Sequence, residues 1–216
     1  ELNSVQDYVD IAAGTQAVYQ YVFEHLLRQT RKLVESNNIV LMGGCALNCV
    51  ANSIAYKYFN NVWIMPNPGD AGSSVGCVLA HTKKFVEFDS PYLGHAIRGN
   101  YPYNSALKII QEKGMVGVAN NKAEFGPRAL GNRSLLADPR GQDMQDLVNT
   151  VKQRQAFRPF APVIKEECLH DYFDMPEGVN SSPFMQFVGR TKEPKLFPAI
   201  THVDGTARVQ TVTRLQ

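Results

Sequence analysis

The sequence predicts an α/β fold in two modules, and three observations carry that prediction. Two short apolar runs, Ile39-Val-Leu-Met42 and Val62-Trp-Ile-Met65, each enter a glycine-bearing turn followed by a helical pattern, as layered strands and helices do. Proline and glycine punctuation in Asp89-Ser-Pro-Tyr-Leu-Gly94 and Arg98-Gly-Asn-Tyr-Pro102 separates these from a second group of elements. The 216 residues are 44% hydrophobic and 19% charged, an ordinary globular composition. The expected division is residues 1–92 and residues 93–216.

Taken in order, residues 7–36 read as a helix whose core face holds Ile11, Val18, Tyr21, Val22, Leu26 and Leu33. Ile39–Met42 reads as a strand buried on both faces. Gly43-Gly-Cys-Ala-Leu-Asn48 is its turn, and Cys49–Phe59 the helix after it. Such a turn either brings a flat ligand near the backbone and an anion to the helix start, or is a plain structural turn. Val62–Met65 is the second strand, and Val75–Val86 the next helix. Asp70 lies in the glycine-rich turn between them, where a carboxylate either caps a helix or holds a metal or an incoming hydroxyl.

Past the punctuation, Asn104–Lys113 is a helix closed by Gly114, and Met115–Ala119 is a strand. Asp143–Lys152 is a further helix, residues 165–182 an excursion or lid, and Pro183–Val188 a strand. Residues 198–212 alternate like a strand pair turning at Asp204-Gly205.

Several classes are excluded. A formal net charge of +2 argues against a dedicated nucleic-acid binder. No apolar run reaches the ~18 residues of a membrane span, and the first residues lack the pattern of a signal peptide. Four cysteines, at 45, 49, 77 and 168, form no C-x-x-C pair; Cys45 and Cys49 read as core. Reduced thiols in a cytoplasmic setting are expected.

The chemistry concentrates in Lys122-Ala-Glu-Phe-Gly-Pro-Arg-Ala-Leu-Gly-Asn-Arg-Ser134. Gly126 and Gly131 allow backbone amides to turn toward a ligand, and Arg128 and Arg133 add planar cationic forks. Asn132 and Ser134 add neutral hydrogen-bonding groups, and Arg140 a further cation nearby. The reading is an anion-binding loop. A second basic run places Lys152, Arg154 and Arg158 beside Phe157 and Phe160, which suits a small anion here better than single-stranded nucleic acid. His202 either touches substrate or makes a structural hydrogen bond.

Glu124-Phe-Gly-Pro-Arg-Ala-Leu-Gly-Asn-Arg-Ser134, Phe157-Arg-Pro-Phe-Ala-Pro162 and Thr201-His-Val-Asp-Gly-Thr-Ala-Arg208 together resemble a known domain. It is the C-terminal domain of the O-carbamoyltransferases of nodulation-factor and antibiotic biosynthesis. Gly43–Asn48 and Pro68-Gly-Asp-Ala-Gly-Ser-Ser-Val-Gly76 are similar to the latter half of that family's N-terminal domain.

The resemblance implies part of an actin/Hsp70/sugar-kinase-like domain followed by a YrdC-like domain. It implies that carbamoyl phosphate and ATP form carbamoyl-adenylate in the second module. The carbamoyl group then passes to a hydroxyl of a small acceptor in the first. On that basis Arg128, Lys152, Arg158 and Arg208 clamp the phosphates, while Gly126, Asn132, Arg133, Ser134 and His202 position substrate. Gly43, Gly44 and Asn48 face a nucleotide, and Asp70 aligns with a metal ligand, the metal being iron or another divalent ion.

The family's H-x-x-x-H metal pair does not occur here, nor its closing Asn-Thr-Ser-Phe-Asn-like segment, and Lys122 stands where many relatives carry arginine. A partial chain is therefore expected, with an N-terminal partner polypeptide completing it. Two other functions fit the same residues: a non-catalytic nucleotide- or anion-binding subunit, and a protein related to tRNA threonylcarbamoylation.

Overall fold

The computed structural model describes residues 4–88 and 90–213, so Asp89 of the predicted linker lies outside the described residues. The chain is α/β, with two-stranded sheets and one four-stranded sheet among the described residues.

Helix α1, Val5–Leu33, begins at a capping box. Ser4 Oγ accepts from the Asp7 amide at 3.2 Å, and the Asp7 carboxylate accepts from the Ser4 amide at 2.9 Å. Arg31 and Lys32 complement the dipole in the last turn. The face that packs is not the predicted one. Leu27 and Phe23 sit against Ala55 and Phe59, while Ile11, Val18, Tyr21, Val22, Leu26 and Leu33 are exposed. The helix carries two apolar stripes, and periodicity does not say which one meets a neighbour.

Strands β1, Asn38–Leu41, and β2, Asn61–Ile64, pair in parallel with Val40 opposite Trp63. Ile39, Leu41, Val62 and Ile64 face the packed side, whereas Val40 and Trp63 point outward and are exposed. Thus β1 is covered on one face, not on both as expected.

The predicted helix over Cys49–Phe59 is a shorter 3-10 helix, Asn52–Lys57, and the turn before it holds another at Gly44–Leu47. Asn48 explains the break. Its carboxamide exchanges hydrogen bonds with Gln16 at 2.9 and 3.2 Å, and its Oδ1 also accepts from the Ala51 amide. Cys45 is exposed rather than core. Helix α2, Ser73–Thr82, follows a short 3-10 turn at Asp70–Gly72.

Strand β3, Tyr92–Ile97, opens the second group. Helix α3, Tyr103–Lys113, ends at left-handed Gly114. Strand β4, Met115–Ala119, leads to β5, Asn121–Glu124, and β6, Arg133–Ala137; β3 pairs with β5 and β4 with β6, both antiparallel. Helix α4, Met144–Val151, is followed by β7, Val163–Lys165, then α5, Leu169–Tyr172, and β8, Phe173–Asp174. Strands β9, Phe187–Thr191, and β10, Thr206–Val212, complete the four-stranded sheet, in the order β7-β10-β9-β8. Its core is Leu169, Phe173, Ile200, Ala207 and Val209.

Two expectations change here. Residues 165–182 are not a lid, because Val179 and Ser182 are buried and Val179 shares a core with Ala46, Ile64 and Phe187. Just past it, the Gln186 carboxamide donates to the Ile64 and Met65 carbonyls and Asn52 donates to the Gln186 carbonyl, which ties the turn before β9 to the first group of elements. The Asp204-Gly205 turn is present, but Pro198–Ile200 is a 3-10 helix, not a strand. Pro198 has no amide to donate to a ladder, and β9 is the antiparallel partner of β10 instead.

Candidate functional site: an unpaired arginine pair beside a closed glycine loop

The loop between β5 and β6 is built around one carboxylate. Glu124 Oε1 accepts from the amides of Leu130, Asn132 and Arg133 at 2.8, 2.9 and 3.2 Å. Burial pushes this carboxyl up, but the amides outweigh it and its pKa lies below the ordinary glutamate value. The Gly131 amide donates to Ser134 Oγ at 2.9 Å. The amides expected to face a ligand therefore face the protein's own anion and a hydroxyl. The glycines and cations of the loop do not point to Glu124; the carboxylate at the loop's start is itself the sequence mark of the closed loop.

The loop is fixed from other sides too. Tyr92 and Gln210 both donate to the Leu130 carbonyl, at 3.0 and 3.2 Å. The Arg133 guanidinium bridges the carbonyls of Asn120, Asn132, His95 and Asn121, so it is a staple and not a free fork. Gly126 does not present its amide to a cleft. A Cβ there would lie 3.0 Å from the Pro66 carbonyl, so glycine permits the loop to cross the first group of elements closely.

With the amides and Arg133 occupied, Arg128 and Arg208 are half-buried guanidiniums left in no salt bridge among the described residues. The salt bridges among the described residues join Lys57–Glu24, Lys108–Glu112, Arg140–Asp138 and Lys192–Asp174, and Arg128 and Arg208 take part in none. Burial first, then the neighbouring Arg208 guanidinium, lowers the Arg128 pKa. Arg208 Nε is buried with no hydrogen-bond partner. Two half-buried guanidiniums, the one felt by the other and neither in a salt bridge, are costly unless an anion joins them. The Cys49 thiol lies near both; burial raises its pKa, and Arg208 and Arg128 oppose that rise.

Arg128 and Arg208 line a cleft of about 2030 Å³ together with Lys152, Arg154, Asn132 and Ser134. Lys152 ends α4 and is exposed. The Arg154 guanidinium lies 4.4 Å from the Phe160 ring and donates to Asn149. Arg158, Arg133 and His202, expected at the site, do not line it. The Arg158 carbonyl is tied down by Asn149 and its side chain is exposed. His202 closes its own turn, its amide donating to the Thr206 carbonyl, and its Nε2 is buried without a partner. Burial lowers the His202 pKa, against the pull of Asp204. Arg140 pairs with Asp138 at 2.6 Å and adds no free charge to the cleft.

In the first group, the Gly43 amide donates to the Pro68 carbonyl at 2.8 Å, drawing the two glycine turns together at the carboxyl ends of β1 and β2. Gly44 is open to solvent, whereas the Asn48 carboxamide is occupied by Gln16. Asp70 is exposed, and among the described residues no group of three or more His, Cys, Asp or Glu is placed to hold a metal. One carboxylate does not fit the donor set of a divalent ion or iron.

Residues 3–79 match the family model for the carbamoyltransferase N-terminus, and residues 107–216 that for the carbamoyltransferase C-terminus. The chain is 35% identical to nodulation protein NolO of Bradyrhizobium diazoefficiens, over 97% of this chain and 44% of NolO. It is 35% identical to nodulation protein U of Rhizobium tropici, over 88% of this chain and 36% of that protein. It is 32% identical to the 3'-hydroxymethylcephem-O-carbamoyltransferase of Amycolatopsis lactamdurans, over 88% of this chain and 39% of that enzyme. It thus spans less than half the length of these relatives. On the C-terminal model, which covers half the chain, and the N-terminal model before it, the chain belongs to the carbamoyltransferase family.

Proposed function

We propose that this chain is part of an ATP-dependent O-carbamoyltransferase, and that Arg128 and Arg208 grip the polyanionic reactants. The observation that carries this is the pair of half-buried guanidiniums, one within the other's field and neither in a salt bridge, at the wall of a large cleft. The chemistry requires such a grip. Water takes the phosphoryl group of carbamoyl phosphate as inorganic phosphate, the carbamate oxygen attacks the α-phosphorus of ATP, and pyrophosphate leaves. The acceptor hydroxyl then attacks the carbamoyl carbon and AMP departs. Each reactant is anionic, so bringing them together needs fixed positive charge that also meets the charge developing on the phosphate oxygens. Lys152 and Lys122, on the same cleft, add mobile point charges. Asn132 lines the cleft with its side-chain nitrogen donating to the Lys122 carbonyl at 2.9 Å, which leaves its side-chain oxygen for the carbamoyl end.

The acceptor is a small hydroxyl-bearing molecule, by kinship with an enzyme named for O-carbamoylation of a hydroxymethylcephem. Among the described residues, those near Asp70 do not make a metal site by themselves. In this reading the exposed stripe of α1 and the bare β1–β2 face, Val40 and Trp63, pack against carbamoyltransferase polypeptide outside this chain. A parallel sheet is ordinarily covered on both faces, which supports that partner.

The test is carbamoyl-phosphate-dependent exchange of labelled pyrophosphate into ATP, by this chain alone and with the complementary N-terminal polypeptide of a relative. Exchange that vanishes in Arg128→Ala is expected. Nucleotide binding without exchange in either arrangement would point to the non-catalytic subunit, a reading the exposed, solitary Asp70 favours.

A further inference from the structure

His202 stands behind the clamp rather than in it. Its amide donates to the Thr206 carbonyl at 2.8 Å, and the Gly205 amide donates back to the His202 carbonyl at 2.9 Å. Gly205, at φ 79°, closes this turn in the left-handed region, so His202 is paired across the turn with Thr206. Thr206 begins β10, and Arg208 is two residues further along it. Side chains two apart on a strand share a face, and the buried Ala207 and Val209 fill the other. His202 therefore lies diagonally across from Arg208, within reach of a long side chain. The third side of this corner comes from the segment that enters β7. The Gln210 amide donates to the Pro162 carbonyl at 2.9 Å, and the His202 imidazole hydrogen-bonds the Phe160 backbone two residues earlier.

In that corner two polar atoms are buried without a partner, His202 Nε2 and Arg208 Nε. A guanidinium Nε is always a donor. An imidazole nitrogen accepts when the ring is neutral and its proton is on the other nitrogen. Burial holds the His202 pKa down and the Arg208 charge adds to that, against the pull of Asp204 and the bond to Phe160, so the neutral ring is favoured. An unbonded donor and an unbonded acceptor on neighbouring buried side chains are two ends that a single internal water joins.

We propose that His202 is a positioning residue for the clamp. With its proton on Nδ1 and shared with the Phe160 backbone, it offers the Nε2 lone pair, across one buried water, to the Nε–H of Arg208. The link holds the inner end of the guanidinium and leaves its other N–H groups to the anion. A side chain fixed beforehand loses less freedom on binding. The assignment rests on the reading of Arg208 as an anion ligand, and it concerns a residue that itself touches neither anion nor acceptor.

Three variants separate positioning from packing, with inorganic tripolyphosphate as the probe in calorimetric titrations of the 216-residue chain. His202→Asn keeps an amide for the Phe160 backbone but is too short to reach the water. It is expected to weaken tripolyphosphate about 5-fold, the scale of one hydrogen bond, with its urea midpoint close to that of the parent chain. His202→Gln carries an amide oxygen to the place of Nε2 and is expected to bind as the parent chain does. In an Arg208→Ala background, His202→Asn is expected to change the affinity no further. Equal affinities of the parent chain and His202→Asn, or a loss in His202→Gln as large as in His202→Asn, would overturn the link while the clamp stands. A parent chain that binds no tripolyphosphate contradicts the clamp, and nitrogen NMR of the imidazole then decides the link by itself. At neutral pH the His202 ring is expected to be uncharged and protonated at Nδ1, with an Nε2 signal that moves in Arg208→Ala. A ring protonated at Nε2, or an Nε2 signal indifferent to Arg208→Ala, would overturn the link whatever the anion does.

Discussion

Two glycine-bearing segments of this molecule look alike in sequence and behave differently in three dimensions. The turn at Gly43-Gly44 follows strand β1 and stays open: its Gly43 amide meets a carbonyl, and a Cβ at either glycine would touch nothing within 4 Å. The loop from Glu124 to Ser134 also follows a strand, but it closes on itself, with three amides on the Glu124 carboxylate. Glycine grants a backbone freedom to turn its amides; the nearest acceptor decides what they meet. In the second loop that acceptor is internal, so in the proposed reading affinity for an outside anion rests on side chains that Glu124 does not engage, Arg128 and Arg208.

The difference can be tested from its strongest consequence downward. Arg128→Ala or Arg208→Ala should weaken carbamoyl phosphate binding by about 10- to 100-fold, the worth of one charge-assisted contact in a half-buried site, measured by calorimetry. Gly44→Ala, in the open turn, should leave it unchanged.

Glu124→Gln should cost about 2 kcal/mol of stability in urea unfolding, because three amides lose their charged acceptor. The pH dependence carries a sign. Glu124 has a folded pKa below its ordinary value, so its contribution is present above the unfolded glutamate range. That contribution is lost as pH falls through the depressed folded value, and the parent chain should lose its advantage over Glu124→Gln in that acid window. An advantage that grows on acidification would contradict the closed loop.

Arg133→Lys should cost about 1 kcal/mol, since one ammonium cannot span four carbonyls. Thermal unfolding at fixed pH would register it. Asp70→Asn should shift stability by no more than about 0.5 kcal/mol, as expected of an exposed side chain outside any charge cluster. A larger loss would show that the first turn holds more than its geometry indicates.

Much of this was legible in the residues. The strands at Ile39 and Val62, the helix stop at Gly114 and the Asp204-Gly205 turn follow from apolar runs and turn chemistry. The order of the family's motifs gave the family, which the two matched models then showed. The cations of the cleft were visible as residue types, but which of them stay free was not. Arg133, Arg140 and Arg128 lie within thirteen positions of one another, yet only the first two meet carbonyls or a carboxylate. That choice depends on contacts far apart in sequence, such as His95 with Arg133, which no local pattern encodes. The packed face of α1 was misread for a related reason. A helix with two apolar stripes has two possible cores, and only its neighbours select one.

The clamp rests on Arg128 and Arg208 acting on one anion rather than on two. A double-mutant cycle measures this directly, by titrating tripolyphosphate into the parent chain, Arg128→Ala, Arg208→Ala and the double variant. A shared anion predicts losses that fail to add, with a coupling of at least about 0.5 kcal/mol. Losses that add fully, or a double variant that binds like the parent, would show that the two guanidiniums do not share a ligand.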